Sequence, residues 1–193
     1  MGAGASSEKP SQLDNPRQQP SSDEGGLQKV DIRLPFSQFR ELYTLKNYWK
    51  VIRRTEKESG KSMFAKYLKQ NPENVKLYPK LKNVDISKIT PDTADAGFET
   101  MAANYLKVFD DVITAVEETP ADCSDACSRL IAVGKIHRAK VSGMSATQFQ
   151  DMEKPFIETV SEILQDRFNE KVENLFRKFF QFCLKYLSEG LNS

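Results

Sequence analysis

From about residue 36 onward, apolar residues recur at intervals of three, four and seven, the repeat that places side chains on one face of an α-helix. Phe39, Leu42, Trp49 and Ile52 form one stripe, and after a short Glu58-Ser59-Gly60 break Phe64 and Leu68 begin another. Thr90, Pro91, Asp92 and Asp95 read as a helix start, with Thr90 as N-cap, Pro91 in the first turn and two carboxylates where the helix dipole favours them. Behind it run Phe98, Met101, Ala102, Tyr105, Phe109, Val112 and Val116. Ser145-Ala146-Thr147-Gln148 has the form of a capping box, predicting a helix that carries Phe149, Met152, Phe156, Val160 and Ile163. Pro155 falls inside that helix, where it deletes a backbone hydrogen bond and costs about 3 kcal/mol unless the helix kinks. The last stripe, Val172, Leu175, Phe176, Phe179, Cys183 and Leu187, is the most apolar. No segment alternates with a period of two, so the pattern predicts an all-α fold, without internal repeat or coiled coil.

Composition limits what this helical chain does. With 193 residues and 39% apolar content, it buries one core and forms one ordered domain, expected over residues 33–190. Residues 1–32 are a different material, rich in Ser, Gln, Gly and Pro, and are expected to be a disordered tail. The formal charge of +1 provides no field for nucleic acid. No run is long and apolar enough for a membrane span, and no secretory signal opens the chain, which places the protein in the cytosol. Cys123, Cys127 and Cys183 are an odd set, consistent with free thiols in a reducing compartment. The Cys123–Cys127 spacing fits neither a Cys-x-x-Cys redox motif nor a zinc site.

Met1-Gly2-Ala3-Gly4-Ala5-Ser6 matches the N-myristoylation pattern, with Gly2 as the acylated residue. One acyl chain gives marginal, reversible binding to the cytoplasmic face of a membrane, so a second signal is needed. The basic residues Lys46, Lys50, Arg53, Arg54, Lys57, Lys61, Lys66 and Lys69, against only Glu56 and Glu58, are a candidate, although a solvated helix face explains them equally simply.

The chain has one histidine, His137. Ala126, Leu130, Val133 and His137 are spaced four, three and four apart, so the imidazole shares the inner face of a helix. Such a residue is often a hydrogen-bonded core histidine. Here it faces a long stripe presenting Met101 and Tyr105, an arrangement suited to holding a flat iron macrocycle between two helices.

From Trp49 to Leu187 the sequence resembles the globin superfamily, in particular its neuroglobin-like and divergent invertebrate and nematode members. The resemblance is carried by Trp49 in the first helix, by Pro72 in KQNPENVKLYPKL, by Tyr78 at the following corner, by His137 in GKIHRAKV, and by Phe149 and Phe156 in the next long helix. It implies a globin fold binding haem b, with His137 as proximal iron ligand and Tyr78, Val133, Val141 and Phe149 lining the pocket. Met101 falls on the distal position where many globins carry a second histidine. Tyr105, one turn on, and Phe64, from the second helix, are expected to crowd the space usually left for a gas. Bis-histidine ligation within one subunit is excluded, since there is no second imidazole.

Two mechanisms stay open at this point: Met101 ligates the iron through its thioether, or the sixth position is free for oxygen, nitric oxide or superoxide. Met101 as a gap-filling core residue is as good a reading. The implied role is electron transfer, redox signalling or gas sensing at a membrane, with an unidentified electron donor, rather than bulk oxygen storage. The alternative is a lipidated helical adaptor whose globin fold has lost haem. A calcium sensor is set aside because no Asp-x-Asp-x-Asp-Gly loop is present, and no phosphate loop or nucleophile elbow points to an enzyme.

Overall fold

The computed structural model describes residues 1–2 and 29–193, so most of the expected tail, including four of the six residues of the myristoylation motif, lies outside the described residues. The described chain forms α1 (Phe39–Arg54), α2 (Glu56–Gln70), α3 (Ala96–Glu118), α4 (Ser124–Lys140), α5 (Ala146–Gln150), α6 (Glu153–Leu164) and α7 (Glu170–Asn192). Short 3₁₀ turns occupy Pro72–Leu77, Pro79–Leu81, Ile86–Lys88 and Gln165–Arg167, and no strand occurs among the described residues. The all-α fold read from the sequence is therefore the fold observed.

The apolar stripes become one core. Leu42, Leu45, Trp49 and Ile52 all face inward from α1, and the Trp49 ring lies 6.3–6.4 Å from Phe156, Phe176 and Phe179. Its indole nitrogen donates to Asp110 Oδ1 at 2.7 Å, which satisfies the one polar atom of a fully buried ring.

Three helix boundaries differ from the expected ones. The first break falls at Thr55, and Gly60 lies within α2. Gly60 serves a crossing instead: a Cβ there would stand 2.7 Å from the Ala102 carbonyl oxygen, so its absence lets α2 and α3 touch backbone to backbone. The third helix is capped by Asp95, whose Oδ1 accepts from Phe98 N at 2.8 Å, and Thr90 and Pro91 stay in the preceding turn. Asp95 prevails because it stands three residues before Phe98, the first wholly buried side chain of the stripe. The capping box at Ser145 is present, with Ser145 N donating to Gln148 Oε1 at 2.8 Å, but it opens only the five-residue α5. The chain bends at Asp151 and Met152, and Pro155 becomes the third residue of α6. In a first turn the proline needs no intrahelical acceptor for its missing N–H, so the expected penalty does not arise.

The packed chain begins slightly upstream of residue 33. Asp31 N donates to the Pro120 carbonyl at 2.8 Å, and Asp31 Oδ2 accepts from Cys123 N at 2.9 Å, directly ahead of α4. Arg33 clamps this contact, its Nη2 donating to Asp31 Oδ2 at 2.6 Å and to Asp122 Oδ1 at 2.9 Å. The Arg33 guanidinium holds the Asp31 carboxyl well below the usual carboxylate range, although burial opposes it. Replacing Asp31 by Ala leaves the buried Cys123 N–H without its acceptor and should cost about 1–3 kcal/mol, read as a lower midpoint in urea unfolding. Because the folded carboxyl is the stronger acid, this contribution is complete above the ordinary aspartate pKa of about 3.9 and fades as the pH falls toward the lower folded value. The difference between wild type and Asp31→Ala should therefore shrink in acid.

Candidate functional site

A cleft of about 220 Å³, partly open to solvent, lies between α3, α4 and α7. Val133 and His137 form one wall from α4, Met101 and Tyr105 come from α3, and Cys183 and Leu187 come from α7. Tyr78 closes one end. It is held between two 3₁₀ turns that begin at Pro72 and Pro79, and the proline after it disfavours helical backbone at Tyr78, which has φ −118° and ψ 78°. Among the described residues no Asp, Glu, Lys or Arg side chain lines the cleft.

His137 is half-buried, and its Nδ1 lies 2.8 Å from the Val133 carbonyl oxygen one turn back. A carbonyl only accepts, so Nδ1 carries the proton and donates. In the neutral ring this leaves the lone pair on Nε2. The Phe149 ring packs edge-on against the imidazole at 5.1 Å and limits its rotation. The result is one oriented nitrogen donor in an apolar cleft.

The opposite side of the cleft is aromatic. Tyr105 stacks on Phe64 with centroids 5.0 Å apart, and its hydroxyl is hydrogen-bonded to that of Tyr78. Burial pushes both phenols above the ordinary tyrosine range, so each remains protonated. Met101 also borders the cleft, one turn before Tyr105.

Of the residues singled out from the sequence, His137, Met101, Tyr105, Tyr78, Val133 and Phe149 come together around this one cleft. Phe64 does not line it. Fully buried, it stands behind the tyrosines, 5.2 Å from Tyr78 and 5.5 Å from Phe98, and acts as their backing. Val141 does not line it either, because α4 ends at Lys140 and Val141 is its C-cap. The sequence reading missed Gln148 and Met152, together with the α7 wall of Phe180, Cys183, Leu184 and Leu187. The α7 residues form a helical stripe legible as core, but nothing local marks that stripe as facing a cleft.

The cysteines all sit in the core. Cys123 and Cys127 have Sγ atoms 3.6 Å apart, and all three thiols are free and buried. Burial pushes the Cys123 thiol up to about 12 and that of Cys183 well above its ordinary value, so neither supplies a thiolate near neutral pH. The basic segment is also less free than its composition suggests. Lys46, Arg53, Lys61 and Lys66 form ion pairs with Glu117, Asp110, Glu99 and Glu162 on other helices. No helix among the described residues is long and apolar enough to cross a membrane.

The donor set restricts what the cleft holds. Among the described residues no group of three or more His, Cys, Asp or Glu side chains is placed to bind a metal ion. A lone imidazole holds a metal firmly only when the metal brings most of its own ligands, as the iron of a porphyrin does. An apolar slot with one oriented Nε2 lone pair fits that group.

Comparison with known proteins agrees with the geometry. The family profile described as Globin matches residues 61–187. Among solved structures, the chain is similar to a hexacoordinated heme protein from an anhydrobiotic tardigrade, at 25% identity over 85% of this chain and 100% of that one, with a TM-score of 0.75. It shares its fold with the hemoglobin of the botfly Gasterophilus intestinalis, at 20% identity over 80% of this chain and 98% of that one, with a TM-score of 0.67. Curated protein sequences gave no match. The matched segment runs from α2 through α7 and contains every element of the cleft, and on this footing the chain belongs to the globin family, whose members bind haem.

Proposed function

We propose that the cleft binds haem b with Nε2 of His137 as the proximal ligand, and that the protein binds small gaseous ligands or transfers electrons rather than storing oxygen in bulk. The observation that carries this is the 2.8 Å contact from His137 Nδ1 to the Val133 carbonyl, which aims a lone pair into an uncharged cleft. When bound, haem supplies an iron that takes up a diatomic ligand or passes an electron. Val133 and Phe149 hold the imidazole in one tautomer and orientation, and the side chains of α3 and α7 give its cleft an apolar lining. Tyr105, larger than an aliphatic residue and fixed by Phe64 and Tyr78, narrows the space for a ligand.

Met101 is the candidate sixth ligand, and the hexacoordinated state named for the tardigrade protein supports that reading. The test is the absorption spectrum of ferric and ferrous protein with and without carbon monoxide. It reports haem uptake, coordination number and ligand access together. Met101→Leu should convert a six-coordinate ferrous spectrum to a five-coordinate one and speed carbon monoxide binding by about tenfold or more. An unchanged spectrum in both oxidation states removes the thioether from the iron.

Association with the cytoplasmic face of membranes is part of the same proposal and rests on the sequence motif at Gly2, most of which lies outside the described residues. One myristoyl chain makes that association reversible. A helical adaptor without haem is the second reading. It is favoured by the cleft volume of about 220 Å³, below the roughly 300–1,000 Å³ of ordinary ligand sites. The absence of a Soret band after haem addition would select it.

A further inference from the structure

The outer face of α1 carries charge of one sign. The helix has five basic residues and one carboxylate, Glu41. Packing engages part of that set: Lys46 and Arg53 pair with Glu117 and Asp110 of α3, and Glu41 accepts from Lys178 of α7. The remaining cations fall in register. Arg40, Tyr43, Asn47, Lys50 and Arg54 are spaced three, four, three and four apart, and all five are exposed, on the side opposite the buried Leu42, Leu45, Trp49 and Ile52. Among the described residues Arg40, Lys50 and Arg54 form no ion pair, and the nearest carboxylates along the chain, Glu56 and Glu58, come after the stripe has ended. At 1.5 Å per residue the stripe is about 21 Å long. Its aromatic member sets it apart from a plain solvated face. Tyr43 is 53% exposed, with its ring beside that of Phe39 at 6.5 Å. Ile32, 95% exposed, lies just ahead of α1 in the segment that Asp31 and Arg33 pin to the start of α4.

We propose that this face of α1 is the second membrane contact of the chain, lying flat on an anionic leaflet with Arg40, Lys50 and Arg54 at the lipid headgroups and Tyr43 at the interface. The inference rests on the membrane reading of Gly2 given above and deepens it. Charge complementarity selects an anionic surface, and a tyrosine among the cations suits a lipid interface, where the ring sits at headgroup level with its hydroxyl toward water. The order of the chain favours a membrane over other polyanions, because α1 is the first helix after the acylation motif at Gly2. Near an anionic surface each Lys or Arg strengthens binding about fivefold, so three of them add about 100-fold to the marginal affinity of one acyl chain. Composition spreads this attraction over residues 46–69. The structure confines it to the cations that packing leaves free, and adds Arg40, which lies outside that range.

The test uses the full chain, produced with an N-myristoyltransferase so that Gly2 is acylated, and vesicles of phosphatidylcholine alone or mixed with phosphatidylserine. Arg40→Gln, Lys50→Gln and Arg54→Gln combined should weaken binding to the phosphatidylserine vesicles by about 100-fold and change binding to phosphatidylcholine by less than about twofold. The control, Lys135→Gln, Lys140→Gln and Lys171→Gln combined, removes the same charge from exposed positions on α4 and α7 and should cost less than about fivefold, because charges beyond a Debye length of the leaflet are screened. Tyr43→Ser should weaken binding to both lipids by about threefold, and this loss should persist in high salt, where the effect of the α1 cations disappears. The native cysteines are buried, so an environment-sensitive dye can be placed on Asn47→Cys or on Lys140→Cys. Vesicles should shift the Asn47 dye to the blue and leave the Lys140 dye unchanged. Equal losses in the two triple variants overturn the proposal, as does a dye shift at Lys140 without one at Asn47. Acylated wild type that stays off phosphatidylserine vesicles overturns the membrane reading itself and the α1 face with it, which is distinguishable from wild type that binds while the α1 variant binds equally well.

Discussion

Replacing His137 by Gly should abolish the Soret band of haem-loaded protein or lower haem affinity by well over 100-fold, and added imidazole should restore it. Outer-shell changes at metal sites already cost about 10–100-fold, and His137 is the candidate inner ligand. The chain has no second histidine to take over. Cys183 borders the same cleft, but burial keeps its sulfur in the thiol form, which is a poor iron ligand. Met101 provides a neutral thioether on another helix, which does not substitute for the imidazole that Val133 and Phe149 orient. Rescue by free imidazole separates loss of the ligand from loss of the fold, because a collapsed cleft would not be refilled. Full haem retention by His137→Gly would remove the proposed proximal assignment.

A second large effect, on stability, is expected at the crossing of α4 and α7. A Cβ on Gly190 would lie 2.8 Å from the Ile131 carbonyl carbon and 2.9 Å from its Cα, and one on Gly134 would lie 2.8 Å from Leu191 N and 2.9 Å from Gly190 Cα. These obstacles are backbone atoms within helices, which cannot rotate aside as a side chain can. Overpacking of this kind costs typically 1–3 kcal/mol. Alanine recovers about 1 kcal/mol of helix propensity over glycine, so with an overpacking cost at the upper end, about 3 kcal/mol because the obstacles are backbone, Gly190→Ala should be destabilising by a net of about 2 kcal/mol. For a chain of this size that lowers Tm by about 4–8 °C. The sign is diagnostic: a glycine that were only a residue in a helix would give a higher Tm on the same change. Since α4 carries His137 and α7 carries Cys183 and Leu187, forcing these helices apart should also broaden the visible spectrum of bound haem.

The helices and the place of His137 on an inner helix face were legible because both depend on local order. A stripe such as Leu42, Leu45, Trp49 and Ile52 repeats within one element, and its inward direction follows from the repeat alone. His137 stood out because it is unique and shares a face with Leu130 and Val133. Helix starts were less legible. Thr90 and Asp95 are both competent caps, and only the burial of Phe98 selects between them. Pro155 seemed to oppose the helix around it until the bend at Asp151 and Met152 placed it in a first turn.

By itself the sequence determined an all-α chain, one imidazole available for a metal, an uncharged stripe opposite it and an acylation motif at Gly2. These follow from composition and from periodicities of a few residues. Only the tertiary structure decided that Phe64 backs the tyrosines, that Val141 lies beyond the cleft, that half of the basic segment is paired with carboxylates on other helices, and that α7 forms a wall. The physical reason is that such relations join residues far apart in sequence through the approach of helix backbones, which here depends on missing Cβ atoms at Gly60, Gly134 and Gly190, and no local pattern encodes which helix a bare backbone will meet.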